Sequence, residues 1–199
     1  MKIYDISQEV FGCAVFPGDP APRRSVLMET AKGDACNLTE LSMCAHNGTH
    51  IDAPYHFLQN GKTVDQLSLS ALIGYAYVAE VNGFLTAEWA RKILAEAEAK
   101  NAESAKRILL KGDATVTLEA AEVLAAAGVR LVGNESQTVG PPDAPKAVHL
   151  CLLGADTVLL EGVRLERVPE GVYLLNCAPI NLGGADGAPC RAVLLDLDA

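Results

Sequence analysis

Tyr75-Ala76-Tyr77-Val78-Ala79-Glu80-Val81, followed by Thr86 with the run Ala87 to Lys100, and then by Arg107-Ile108-Leu109-Leu110-Lys111-Gly112, sets the fold class. The first run is apolar and β-branched enough for a strand. Thr86 is a good helix cap, and the residues after it are rich in Ala, Glu and Lys, with Trp89, Ile93 and Leu94 on one side. Arg107 to Lys111 reads as a buried strand closed by Gly112. Strand, helix and strand in that order point to an α/β domain.

The alternation continues in both directions. Thr117 opens a second helix through Ala127, ended by Gly128 in the manner of a C-cap, and Val129 to Val132 is the next strand. A third helix is predicted over Ala144 to Leu153, starting near Asp143 and stopping at Gly154. Thr157 to Leu160, Tyr173 to Leu175 and Arg191 to Leu197 follow as strands. Towards the N-terminus, residues 1–20 read as a short strand and a turn, with Phe16-Pro17-Gly18-Asp19-Pro20 as punctuation. Residues 36–45 alternate loosely. The expected architecture is a single domain, residues 1–199, with a mixed sheet and flanking helices.

Half of the 199 residues are apolar and few are aromatic, so Ala, Leu and Val must supply most of the core. A formal net charge of −9 argues against nucleic acid or an anionic membrane as the main partner. The N-terminal residues Met1 to Ile6 do not read as a signal peptide, and no stretch approaches the ~18 apolar residues of a membrane span. A soluble, cytoplasmic protein is expected. Six cysteines without a CxxC pair then read as reduced thiols in or near the core.

The chemistry concentrates in His46-Asn47-Gly48-Thr49-His50-Ile51-Asp52-Ala53-Pro54-Tyr55-His56, which holds three of the four histidines. Asp52 lies two positions after His50, so on an extended backbone both face one side. His46 and His50 are four apart, about 13 Å on a straight strand, too far for two ligands each ~2.1 Å from one zinc ion. The chain must turn between them, and Gly48 gives it the freedom to do so. Imidazole and carboxylate suit Zn²⁺ or Mn²⁺, and three protein ligands leave a coordination position for water. His56 exceeds that ligand set and is placed to act as general acid or base. The bland alternative, unrelated histidines in a Pro-Gly loop, explains one such residue but not His-x3-His-x-Asp-x3-His.

With Phe57 added, this segment resembles the signature HxGTHxDxPxHF of the cyclase-like family of metal-dependent hydrolases, which includes bacterial kynurenine formamidase and isatin hydrolase. Tyr4-Asp5-Ile6-Ser7, Phe16 to Pro20, His149 with Glu161 twelve residues on, and Gly184 to Arg191 match further blocks in order. The resemblance implies a swivelling β/β/α-like fold and a homodimer. It implies a first metal on His46, His50 and Asp52, and a second on His149 and Glu161 bridged by Asp52. His56 would be the acid/base and Phe16 would line the substrate pocket. The implied activity is cleavage of a small amide, with N-formylkynurenine of tryptophan breakdown as the first candidate, a cyclic amide such as isatin as the second, and a catalytically silent metal-binding protein as the reading from another class. Two departures bear on the substrate. Phe16 stands where kynurenine formamidases carry Trp, and Gly133-Asn134-Glu135-Ser136-Gln137-Thr138-Val139-Gly140 departs from a Gly-x-Asp-x-Pro-Ser-x-Asp-like segment.

Other features read as structural. Gly183-Gly184-Ala185-Asp186-Gly187 lacks the Lys-Ser/Thr of a phosphate loop and is expected to be a tight loop near the site, with Asp186 and Arg191 as structural partners. Trp89 is expected to be a core anchor. No G-x-S-x-G elbow is present, and Cys44 paired with His46 competes poorly with the metal reading.

Overall fold

The computed structural model describes residues 1–197, so the expected 1–199 domain runs two residues beyond the described part. In chain order the elements are β1 (Lys2–Asp5), β2 (Arg23–Met28), β3 (Leu38–Ser42), β4 (His50–Asp52), the one-turn helix α1 (Leu69–Leu72), β5 (Ile73–Glu80), β6 (Phe84–Leu85), α2 (Ala87–Lys100), β7 (Arg107–Lys111) and β8 (Thr115–Val116). They continue with α3 (Leu118–Ala126), β9 (Leu131–Asn134), α4 (Lys146–Gly154), β10 (Val158–Glu161), β11 (Gly171–Asn176), β12 (Gly187–Pro189) and β13 (Val193–Asp196). Nine of the described strands form one mixed sheet in the order β1-β13-β11-β5-β7-β9-β10-β4-β12. Neighbours from β5 to β10 run parallel, and every other pair is antiparallel.

The parallel centre follows from the helices between its strands, because a parallel pair needs a crossover. Period-two alternation then divides the apolar residues between two cores. Tyr77, Ala79, Ile108, Leu110, Val132 and Leu159 face α2, α3 and α4, meeting Ile93, Leu124 and Leu152 there. Val78, Leu109, Leu131, Leu160 and Ile51 face the other way, where Tyr173, Leu175 and Leu194 from the far strands close over them. The sheet therefore curls around its second core instead of covering it with helices.

Several boundaries differ from expectation by one or two residues, and three of them have a plain local reason. The third predicted helix starts at Lys146, not Ala144, because the ring of Pro145 disfavours helical geometry at the residue before it. The strand expected at Val129 starts at Leu131, because the Val129 N–H is used to close α3 on Leu124 O. The strand expected to end at Leu160 includes Glu161, whose ladder partner is His50. The arm β2–β3 projects with both faces solvated, and Cys36, in its turn region, is exposed and not near the core as expected. Among the described residues no helix is long and apolar enough to cross a membrane.

Candidate metal centre and active site

The site is built on β4, which lies between β10 and β12. Register places His50 opposite Glu161 and Asp52 opposite Leu159. His50 and Asp52 share the helix-covered face of the sheet, while Ile51 between them is fully buried in the opposite core. Burying that side chain is worth ~1.5–3 kcal/mol. A one-residue slip would expel it and turn both site residues away, so the register is fixed by its neighbour. Gly48 makes the required turn with a φ of 71°. Pro54 opens a single 3-10 turn, Pro54–His56, that brings His56 back over the strand.

Two histidines are aimed in the same way. The Nδ1 of His50 lies 3.0 Å from Gly48 O, and the Nδ1 of His149 lies 2.9 Å from Pro145 O, one turn back along α4. Each donates there, so each Nε2 is free to face the carboxylates. His50 Nε2 is 3.3 Å from Asp52 Oδ1 and 3.6 Å from Glu161 Oε2. His149 Nε2 is 3.3 Å from Glu161 Oε1 and 3.7 Å from Asp52 Oδ2. Glu161 Oε1 also accepts from the Val139 N–H at 2.8 Å. His46 Nδ1 is 2.8 Å from Asp52 Oδ1, and its Nε2 is 2.9 Å from Asp186 Oδ2.

Three groups here have the spacing of metal ligands: His46-His50-Asp52 and Asp52-His149-Glu161, which share Asp52, and the less buried His46-His56-Asp186, which meets the first at His46. The donor set suits a divalent cation. It is an N/O set at a nearly dry centre, with the second nitrogen of each imidazole already tied to an oxygen, the outer arrangement that fixes tautomer and orientation in metal sites. Burial works against charge on Asp52, but hydrogen bonds from His46 and His50 overcome it and hold the carboxyl well below its ordinary range. Burial likewise works against a charged His50 or His149. Contact with Asp52 and Glu161 outweighs it and raises both above the ordinary imidazole value.

A cavity of about 270 Å³ opens beside these groups, lined by His46, His50, His56, His149 and Glu161 together with Phe16, Asp19, Phe57, Gln137, Thr138 and Pro145. That is near the lower end of the ~300–1,000 Å³ usual for small-molecule clefts. Phe57 packs between His56 and His149, with ring centroids 4.7 and 4.6 Å away. The structure thus brings together His46, His50, Asp52, His56, His149 and Glu161, with Phe16 on the wall of the same cavity.

Asp186 lies in the loop expected near the site, and the sequence leaves open which residues it partners. Its Oδ2 is 3.2 Å from His56 Nδ1 as well as 2.9 Å from His46 Nε2. The signals are the Gly-rich run around it, since a backbone passing close to another group needs small residues, and the match of Gly184 to Arg191 to a block of the resemblance. Arg191 lies elsewhere, paired with Asp5. Glu135 is a staple away from the cavity, accepting from Gly112 N–H at 2.6 Å and Leu165 N–H at 2.7 Å. Cys44 has the wrong environment for a nucleophile, because burial first and then Asp19 and Asp186 raise its pKa.

The fold and this site define the class: a model of the family described as putative cyclase matches residues 4–141, and the chain belongs to that family. Its relatives include the kynurenine formamidase of Salinibacter ruber, 34% identical and covering 98% of each chain, and that of Bacillus anthracis, 33% identical and covering 97% of each. Among solved structures, a potential metal-dependent hydrolase with cyclase activity is 28% identical, superposes with a TM-score of 0.82 and is covered to 99%, against 100% of this chain. An isatin hydrolase bound to the product analogue thioisatinate is 18% identical with a TM-score of 0.81, covering 98% of this chain and 92% of its own, a likeness of fold.

Proposed function

We propose that the protein is a metal-dependent amidohydrolase of arylformamidase type, converting N-formylkynurenine and water to kynurenine and formate in tryptophan breakdown. The observation that carries this is the shared Asp52, with one oxygen facing His46 and His50 and the other facing His149, while His56 stands outside both groups joined through Asp52, on the cavity wall. The kynurenine formamidases among the full-length relatives support the substrate class.

In this reading His46, His50 and Asp52 hold one Zn²⁺ or Mn²⁺ ion, and Asp52, His149 and Glu161 hold a second where two are bound. When bound, such an ion supplies a Lewis acid for the amide carbonyl and lowers the pKa of water. His56 accepts the proton released by water and delivers it to the departing nitrogen, so the amide and water become amine and formate. Phe16 and Phe57 give the cavity apolar walls that suit an aryl group. The reading takes residues 1–199 as one hydrolase domain.

The same reading makes the protein a cytoplasmic homodimer or higher homo-oligomer. The exposed Val26, Leu27, Leu38 and Leu41 of the arm support a partner subunit, since a lone two-stranded hairpin is marginal in water. The six unpaired thiols fit a reducing compartment. The test is to strip the protein of metal, add Zn²⁺ or Mn²⁺, and follow N-formylkynurenine and isatin by absorbance. Metal-restored loss of N-formylkynurenine is expected; preference for isatin would transfer the assignment to cyclic amides, and inertness towards both with metal bound would overturn it.

A further inference from the structure

Asp186 takes no part in the two ligand groups joined through Asp52, yet it touches both the ligand His46 and the acid/base His56. One oxygen, Oδ2, accepts from His46 Nε2 at 2.9 Å and from His56 Nδ1 at 3.2 Å. The two rings lie face to face beneath it, centroids 4.1 Å apart and tilted by 33°. We propose that Asp186 is a positioning residue, whose bond to His56 Nδ1 presents the Nε2 lone pair to the cavity while its bond to His46 Nε2 keeps the other nitrogen of that ring aimed at Asp52. The proposal rests on the hydrolase reading only for the role of His56.

The carboxylate is itself held in place by its backbone. Asp186 O accepts from the Ala53 N–H and Ala185 O from the Val64 N–H, both at 2.9 Å, and the Gly184 N–H donates to Asp65 Oδ1 at 2.9 Å. The loop is thus stitched on both sides to the segment that follows the ligands. The chemistry favours such a device. A neutral imidazole donates through one nitrogen and accepts through the other, and a fixed acceptor on Nδ1 decides which is which. A carboxylate oxygen can take both donors at once. Partners of this kind in metal sites typically change activity or metal affinity ~10- to 100-fold when removed.

Asp186→Ala isolates the effect, because that side chain is 42% exposed and its loss opens no core cavity. Zinc-loaded protein with ¹⁵N-labelled histidine reports tautomers directly, and the His56 signals are those missing from His56→Ala. The expectation is an Nδ1–H tautomer for His56 in the parent and its loss in Asp186→Ala. At saturating zinc, kcat on N-formylkynurenine is expected to fall about 10- to 100-fold with KM within about threefold. In the His56→Ala background at saturating zinc the same change should cost less than about threefold, because of the two contacts of Asp186 only the one to the metal-held His46 remains. An unchanged His56 tautomer in Asp186→Ala, or the full loss repeated on top of His56→Ala, overturns the proposal. Should the parent prove inert on this substrate, the functional reading fails while the tautomer measurement still decides the role of Asp186.

Discussion

At Gly187 the backbone packs tightly against the site, and replacing it with Ala gives a measurable test of that geometry. The residue sits in β12 directly across from Asp52. A Cβ there would lie 2.6 Å from His46 Cε1, 3.1 Å from His46 Nδ1 and 2.8 Å from Ile51 O. Neither neighbour is free to retreat. His46 is held on both ring nitrogens, and Ile51 O belongs to a strand whose side chain is fully buried. Overpacking costs ~1–3 kcal/mol, and a backbone carbonyl together with a pinned ring puts this site at the upper end. Alanine offsets up to about 1 kcal/mol by stiffening the unfolded chain, which leaves a net loss of about 2 kcal/mol, roughly 4–8 °C in Tm at this length. Gly183, in the same loop, has nothing within 4 Å of its Cβ position, and neither glycine has a positive φ. Gly183→Ala should therefore stay within about 0.5 kcal/mol of the parent or gain slightly. Circular dichroism of the metal-free proteins gives both Tm values, and calorimetric zinc titration should show weakened binding in Gly187→Ala alone. Equal Tm and zinc affinity in the two variants would refute the packing of β12 against His46.

Further consequences follow from the same contacts. Glu135→Ala frees two backbone amides at once and should lower stability by about 2 kcal/mol in denaturant titration, with zinc content unchanged. His149→Ala removes a ligand from only one of the two groups joined through Asp52, so where the parent holds two zinc equivalents elemental analysis should find one fewer. The pH dependence should reverse sign with metal. In the metal-free protein the raised values of His50 and His149 give stability that is complete below the ordinary imidazole pKa of about 6.5 and is lost as pH rises through the raised values. The lowered value of Asp52 gives stability present above its ordinary range and lost as pH falls through the lowered value. Zinc must displace the imidazole protons, so its affinity rises with pH. The Tm gain on adding zinc should widen from pH 6 to pH 8, and a constant gain would contradict the assigned ligands.

The alternating centre of the fold was legible because its elements are long or strongly patterned. Thr86 caps α2 through Trp89 N–H and Thr117 caps α3 through Ala120 N–H, both as their residue types suggest. The elements that make the site were not. β4 and β12 are three residues each, too short for periodicity, and exist because β10 offers a ladder edge to β4 and β4 offers one to β12. The arm β2–β3 is solvated on both faces and so shows no buried alternation. Within the site, His46, His50, Asp52 and His56 announced themselves by crowding. His149 and Glu161 carry no local sign of their role; a helix histidine and a strand-end carboxylate become neighbours only when α4 packs beside β10. Asp186 is farther still along the chain, brought to His46 across 140 positions by the pairing of β12 with β4.

The central claim is that one cluster both binds metal and performs hydrolysis, with His50 as a ligand and His56 as the proton carrier. Measuring zinc content and N-formylkynurenine turnover in parallel for His50→Ala and His56→Ala separates these roles. The account predicts that His50→Ala lowers the zinc content and loses turnover, while His56→Ala keeps the zinc content of the parent and loses turnover ~10²–10⁴-fold. Undiminished turnover in His56→Ala, or undiminished zinc content in His50→Ala, would contradict it.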